Sequence, residues 1–375
     1  MSHNQRSLKI LFLTDSFNYC CGRSQHVHLL AKSLQDHGYS VFVAFGSGDG
    51  APMLEEDNIP FVDWDCLFHQ NRSVSNFLRA VTAIVLLQRR ERYDIIHAHH
   101  RYAAAAARCA AWLFRVPLIM TIHGIVKNRG ILPAFIGDKF VAVSESARFF
   151  AVSSDPSIAE HIETIPNGIS LSTDSPTSTT ITSSRLQWGI PDNAVVISMI
   201  GRIVEQKGHH ILLEALQQIK TEKPIVLVIV GEGIAEGRIR SYAANSGIRT
   251  ILAGVVRDCS PFFEFSDIIA IPSLGNEGLP ITLLEAGKYS KAVIVSDIGG
   301  MHDIIRDGDN GLLAKPGDAQ AVAFALQKLI DDITIRQKLG NALHALVTKE
   351  YSDQRMTDSI VSLYKRLADR TNNAD

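Results

Sequence analysis

An α/β fold of two doubly wound, Rossmann-like domains is predicted by three observations on the sequence. Short apolar, β-like runs alternate with helical patterns from end to end, an order that produces parallel sheets covered by helices. The chain has 375 residues, 46% of them apolar and 20% charged, which is long for one core and usual for two. Between the halves lies Ser170 to Ser184, rich in Ser, Thr, Asp and Pro and too poor in apolar residues to build a core element.

In chain order, the strands expected in the first half are Leu8–Thr14, Val41–Phe45, Ile95–His97, Leu118–Ile122, Phe140–Val143 and Ile162–Ile165. Those of the second half are Val195–Ile200, Ile225–Val230, Thr250–Ala253, Asp267–Pro272 and Ala292–Ser296. The domains then run over 1–169 and 187–352, joined by a linker at 170–186 and followed by a helix at 353–368.

Composition excludes several classes. A formal charge of −2 and a pI of about 6.7 give no reason to expect nucleic-acid binding. The five cysteines are an odd number without a C-x-x-C pair, so neither a disulfide framework nor a zinc knuckle is indicated, and a reducing cytoplasm is the expected home. No apolar run approaches the roughly 20 residues needed to cross a bilayer. Charge is nevertheless uneven: from Cys66 to Phe150 there are twelve Lys and Arg against four acids, a local balance of +8. Arg79, Arg89, Arg90 and Arg92 beside Phe77, Leu78, Val81, Ile84, Val85 and Leu86 could form a solvated helix face or rest peripherally on the inner face of an anionic membrane.

The most informative stretch is Glu277 to Glu285. Ser273 to Gly278 should form a loop at the carboxyl end of a strand, where open parallel sheets bind ligands. Pro280 suits a first helical turn, and the N–H groups there attract anions such as a diphosphate. Gly278, Leu279, Pro280 and Ile281 would line that anion. Glu277 on the loop could accept hydrogen bonds from sugar hydroxyls, and Glu285 within the helix could accept two from a ribose. Two solvated acids beside an ordinary helix start are the alternative.

The order and spacing of several motifs resemble retaining glycosyltransferases of family 4. These motifs are Arg202 and Lys207 in Gly201–Gly208, the Glu277/Glu285 pair, Gly299-Gly300 and Asn310-Gly311-Leu312-Leu313, with Ile165–Ile169 and Thr121–Gly124 earlier in the chain. The resemblance implies the GT-B fold, in which two Rossmann-like domains face a central cleft and the last helix packs back on the first domain. It implies a nucleotide-diphosphate sugar as donor substrate, held mainly by the second domain, and a saccharide or lipid-linked acceptor at the first. Arg202 and Lys207 match the family's diphosphate-binding pair, while Val256 and Arg257 match the segment that borders the base. His123 matches the family histidine that faces the reacting sugar, in a positioning role. Gly22 lies where the family has two glycines after strand one, and Cys21 before it departs from that pattern.

No cofactor and no metal are expected. Asp63-Trp64-Asp65 and Asp307-Gly308-Asp309 are short D-x-D spacings without further context, and His97, His99 and His100 lack a nearby acid or Cys in the sequence to complete a zinc set. Gly231-Glu232-Gly233 after a strand is a weak signal that could be a turn. Two rivals share this fold: a nucleotide-sugar 2-epimerase and a non-catalytic subunit of a transferase complex. A Rossmann oxidoreductase is disfavoured because the first strand lacks a following G-x-G-x-x-G.

Overall fold

The computed structural model describes residues 7–125, 133–171, 185–275 and 277–372, with residues 370–372 described through their backbone alone. Most of the Ser/Thr-rich stretch, residues 172–184, lies outside the described residues. Two compact units are present: Met1–Gly168 together with Asp353–Asp375, and Ile169–Ser352.

Unit 1 carries strands β1 (Lys9–Leu13), β2 (Ser40–Phe45), β3 (Phe61–Asp63), β4 (Ile95–Ala98), β5 (Leu118–Ile122), β6 (Lys139–Ala142) and β7 (Ile162–Thr164). They form one parallel sheet in the order β3-β2-β1-β4-β5-β6-β7. Ile10, Leu11, Phe12 and Leu13 are all fully buried, because helices cover both faces and no alternation of polarity is needed. The helices before the crossover are α1 (Gly22–Asp36), α2 (Ala51–Glu56), α3 (Val74–Glu91), α4 (Arg101–Phe114) and α5 (Glu145–Ser154).

Helix α3 is capped by Ser73, whose hydroxyl accepts from the Asn76 N–H at 3.1 Å, and it ends at Arg92 in a left-handed conformation. Ala103, Ala104, Ala106, Ala107 and Ala110 of α4 are fully buried, and these small side chains let α4 sit close to the sheet and to α3. The membrane-facing pattern expected on α3 is only partly available. Ile84 is fully buried, and Phe77, Val81 and Val85 pack on the core because they share its inward stripe, which leaves Leu78 and Leu86 exposed.

Unit 2 carries β8 (Val195–Ile200), β9 (Ile225–Val230), β10 (Arg249–Gly254), β11 (Ile268–Ile271), β12 (Ala292–Ser296) and β13 (Leu312–Ala314). Their order is β10-β9-β8-β11-β12-β13, again parallel throughout. The helices are α6 (His209–Leu216), α7 (Glu236–Ser246), α8 (Ser260–Phe265), α9 (Ile281–Lys288), α10 (Gly299–Ile304), α11 (Ala319–Asp331) and α12 (Ile333–Glu350). The edge strands β3 and β13 were not among the expected strands. Each has three residues, too few to show a period.

The chain returns to unit 1 in α13 (Asp353–Asn372), longer than the expected 353–368. Met356, Ile360, Leu363, Tyr364 and Leu367 recur at helical spacing and join the core formed by Phe12, Val27, Leu30 and Leu34. Tyr364 is fully buried, and its hydroxyl lies 2.6 Å from His97 Nδ1. Tyr364→Phe removes this contact and leaves a buried ring nitrogen unpaired, at a cost of about 1–3 kcal/mol. The melting temperature read by circular dichroism is expected to fall, and an unchanged value would show that the hydrogen bond contributes nothing.

Candidate active site

In each sheet the strand order reverses beside the first strand, and the carboxyl ends of the two strands flanking the reversal splay their loops apart. In unit 2 those strands are β8 and β11. Gly201 and Arg202 follow β8, and Pro272 and Ser273 follow β11, so the sequence-predicted donor residues are brought to one corner.

Three ties assemble it. The Leu274 N–H donates to the Gln206 carbonyl at 2.7 Å, which joins the loop after β8 to the loop after β11. Gly208 has φ +73° and lies so close to Pro272 that a Cβ would sit 2.0 Å from the Pro272 carbonyl oxygen, so only glycine fits. The Thr282 hydroxyl donates to the Ile200 carbonyl at 3.2 Å and pins the start of α9 beside the end of β8.

Lys207 and Glu277 meet directly. Lys207 Nζ is 2.7 Å from Glu277 Oε1, and the Ser273 hydroxyl donates to the same oxygen at 2.7 Å. The Glu277 side chain is 11% exposed and that of Lys207 25%, so this charge-assisted pair is shielded but reachable from solvent. Gly299 supports it from behind: with φ +56°, a Cβ there would lie 2.2 Å from the Glu277 carbonyl oxygen. The Gly300 N–H donates to the Gly278 carbonyl, so the Gly299-Gly300 pair holds the loop's backbone. Arg202 is exposed, and among the described residues none pairs with its guanidinium.

Gly278, Leu279 and Pro280 are buried and Ile281 is half-buried. Pro280 stands one position before the helix rather than in its first turn: its φ of −63° is helical but its ψ of 125° is extended, and α9 begins at Ile281. Glu285 is half-buried, and its carboxyl is the most desolvated acid of the corner. Burial pushes its pKa up to about 7, Lys288 one turn on pulls it down, and Asp258 pushes it further up. Asp258 follows Val256 and Arg257, so the segment expected beside a base lies within electrostatic range of the acid expected on a ribose. Val256 packs into a small core with Trp188 and Phe262, and Arg257 is exposed. The glycines of Gly231-Glu232-Gly233 face the carbonyls of Gly201 and Ile203, so that motif serves the chain's own packing.

In unit 1 the reversal lies between β1 and β4. Gly22 is not in the loop after β1; it is the first residue of α1, where a side chain would meet nothing within 4 Å, so space does not require glycine there. His123 follows β5 and is half-buried, with its Nε2 3.1 Å from Nδ1 of the buried His99. The His26 ring on α1 stands edge-on to His123, with centroids 4.8 Å apart.

The three histidines His97, His99 and His100 take different hydrogen-bond partners, His97 from within β4 and the other two from just beyond its end. His97 bonds Thr121 and Tyr364, at 2.7 and 2.6 Å. His99 joins His26 and His123, and each of the three offers a ring nitrogen within 4.8 Å of the others. His100 joins His69 and Asp15, so an acid does complete a set here, supplied from the other side of the reversal by the loop after β1. Both trios have donor chemistry suited to a borderline metal ion. Arg23, ion-paired to Asp15, places a fixed cation beside both and opposes a dication.

Burial drives this region's protonation. It lowers the pKa of His26 to about 4, of His97 to about 3 and of His100 to about 4, and holds His99 and His123 well below 6.5. Burial also works against ionising Asp15, but the hydrogen bond with His69 and the charges of Arg23 and His100 outweigh it and hold the carboxyl at about 2. Asp63 and Asp65 end β3 and open a short turn, with Asp65 3.3 Å from Arg79, and they take no part in this cluster. A cavity of about 540 Å³ in unit 1 opens at the opposite, amino-terminal edge of the sheet, lined by Leu8, Tyr39, Tyr93 and Pro117 among others. It holds none of these histidines, and the chemistry is better placed at the reversal.

A family model for Glycosyltransferase Family 4 matches residues 22–173, and one for Glycosyl transferases group 1 matches residues 180–344. The chain is 26% identical over 315 residues to the UDP-Gal:alpha-D-GlcNAc-diphosphoundecaprenol alpha-1,3-galactosyltransferase of Escherichia coli, covering 79% of this chain and 81% of that one. It is 27% identical to the phosphatidyl-myo-inositol mannosyltransferase of Mycobacterium leprae, covering 74% of each. The structure superposes on Anabaena HepE in complex with UDP and glucose with a TM-score of 0.84 at 22% identity, over 96% of this chain and all of that one. The fold is GT-B, and the protein is a glycosyltransferase. No helix among the described residues of this glycosyltransferase is long and apolar enough to cross a membrane.

The raised pKa of Glu285 has a thermodynamic sign. From 4.5, its ordinary value, to about 7, the unfolded chain has released a proton that the folded protein keeps, so stability falls across this window and the loss is complete above it. Glu285→Gln removes the loss. Its melting temperature should exceed the wild type's at about pH 8, with a gain that vanishes near pH 4. A pH-independent difference would mean that the carboxyl titrates normally.

Proposed function

We propose that the chain is a retaining glycosyltransferase of family 4 that moves a sugar from a nucleotide-diphosphate sugar to a hydroxyl of a saccharide or lipid-linked acceptor, in envelope polysaccharide or glycoconjugate synthesis. The observation that carries this reading is the Lys207–Glu277 pair at the β8/β11 reversal, with the exposed Arg202 on the same loop as Lys207 and α9 starting beside it. Glu277 accepts hydroxyls of the sugar while Lys207 and Arg202 meet the diphosphate, aided by the positive end of α9. Glu285 takes the ribose hydroxyls, and Val256 and Arg257 border the base. His123 is the unit 1 group that touches the transferred sugar.

During transfer the acceptor oxygen bonds to the anomeric carbon as the bond from that carbon to the diphosphate oxygen breaks. Positive charge grows on the sugar and negative charge on the leaving diphosphate, so fixed cations stabilise the transition state more than the ground state. The acceptor proton passes to the departing phosphate oxygen on the same face, which gives net retention without a protein nucleophile. Neutral His123, its pKa held well below 6.5 by burial, adds no charge beside the cationic sugar. The relatives' names support a uridine nucleotide and a diphospholipid or phosphoinositide acceptor as the first compounds to test.

The protein would act at the inner face of the cytoplasmic membrane. Exposed Leu78 and Leu86 beside Arg79, Arg89 and Arg90 on α3, with exposed Trp112 and Leu113 on α4, support peripheral contact with it. Co-sedimentation with phosphatidylglycerol vesicles but not with phosphatidylcholine vesicles is expected, and equal partitioning to both would contradict the electrostatic part of this contact.

A thermal-shift screen with UDP, GDP and ADP sugars identifies the donor, since a ligand of the folded state raises the melting temperature. With that donor, Arg202→Ala should lower turnover about a hundredfold to a thousandfold. Glu285→Ala should weaken nucleotide binding more than it slows transfer, and unchanged affinity would remove the ribose assignment. Incubating donor alone separates this function from 2-epimerisation, which needs no acceptor and would convert the donor at full rate, to the C2 epimer or, with water, to free nucleotide and the epimeric sugar.

A further inference from the structure

The contact between His99 and His123 fixes the place of a proton. Their facing ring nitrogens, His99 Nδ1 and His123 Nε2, are 3.1 Å apart. Two bare nitrogens would repel at that separation and two N–H groups would clash, so one proton lies between them. Both rings are neutral, since burial and then the neighbouring histidines and Arg23 hold them well below 6.5. A neutral imidazole carries one N–H, so two arrangements exist.

In one, His123 donates from Nε2 to His99, whose own proton must then sit on its Nε2. That atom is buried, with no hydrogen-bond partner among the described residues. A buried N–H without an acceptor costs about 1–3 kcal/mol, and orphaned donors are rarer in folded proteins than under-satisfied acceptors. In the other arrangement His99 donates from Nδ1, and its buried Nε2 is a bare nitrogen. The second arrangement is favoured.

Packing keeps His99 in place for this role. Its ring stacks on His97, with centroids 4.4 Å apart and planes at 29°, and meets Phe12 edge-on at 5.0 Å. His97 is itself anchored at both nitrogens by Thr121 and Tyr364. Three strands and the returning helix thus define where one imidazole points.

We propose that His99 is a positioning residue whose Nδ1–H donates to His123 Nε2, so that His123 carries its proton on Nδ1 and presents that N–H to an oxygen of the transferred sugar. The sugar contact rests on the reading of His123 given above; the tautomer does not.

Long-range ¹H–¹⁵N correlation spectra of ¹⁵N-histidine-labelled protein test this directly. Wild-type His123 should show the Nδ1–H tautomer. His99→Asn places an amide N–H near the former Nδ1 and should keep that tautomer, while His99→Leu supplies no donor and should release His123 into a mixture. With UDP-glucose as probe, UDP release in the Leu variant should drop roughly tenfold to a hundredfold in kcat at little changed KM, and recover in the Asn variant, as for other partners that orient a functional imidazole. An Nε2–H tautomer in the wild type, or an unchanged tautomer in the Leu variant, would overturn the proposal. If the Leu variant does not fold, the wild-type and Asn spectra decide it. Failure of the glycosyl-transfer reading looks different: no UDP from wild-type protein, with the tautomer as expected.

Discussion

Reversal of strand order between β8 and β11 is the constraint on which the proposed donor corner depends, because only there do two adjacent loops leave the sheet in opposite directions and open a space. Everything else at the corner serves to keep that space defined. Gly208 and Gly299 let backbone segments approach where a side chain would collide, and the shared oxygen of Glu277 holds a lysine and a serine at once. Lys207 and Glu277 are 70 residues apart in the chain, and the topology turns this distance into contact.

Burial disfavours charge in both units, on an acid in one and on imidazoles in the other. In unit 2 it opposes the charge on Glu285, which stands close to its ionisation point near neutrality. Around the unit 1 reversal it strips charge from a group of imidazoles while Arg23 and His69 preserve it on Asp15. A neutral histidine cluster next to a locked ion pair has little net field, which suits the binding of a polar but uncharged group. The corner with Arg202 and Lys207 suits a polyanion instead.

Much of this was legible in the sequence where local signals were strong. Fully buried parallel strands are runs of Val, Ile and Leu, so Val195–Ile200 and Ile225–Val230 were located to the residue. The loop after β11 and the helix beginning near Pro280 were legible for the same reason, joined to proline chemistry. Signals failed where the cause is tertiary. Strands β3 and β13 exist because a neighbour offers hydrogen bonds to three residues, not because those residues demand it. Asp15, His26, His69 and His100 lie on four separate segments, and only the order β1-β4-β5 gathers them with His99 and His123. The pairing of Ser273 with Glu277 is local, four residues apart, and a serine directly after a strand could have been weighed. Ile84 and its neighbours misled as a surface stripe, because a helix that is basic outside and apolar inside reads alike on a sheet and on a bilayer.

The return of α13 means that unit 1 is assembled from two stretches separated by the whole of unit 2. Tyr364, Leu363 and Ile360 fill space beside Phe12 and Leu30, so those early residues face an incomplete interior until the last part of the chain has emerged from the ribosome. Unit 2, being continuous, has all its residues some twenty positions sooner. Biosynthesis should therefore finish unit 2 first, although it is encoded second, and exposed apolar surface on the amino-terminal unit is the interval a chaperone would have to cover.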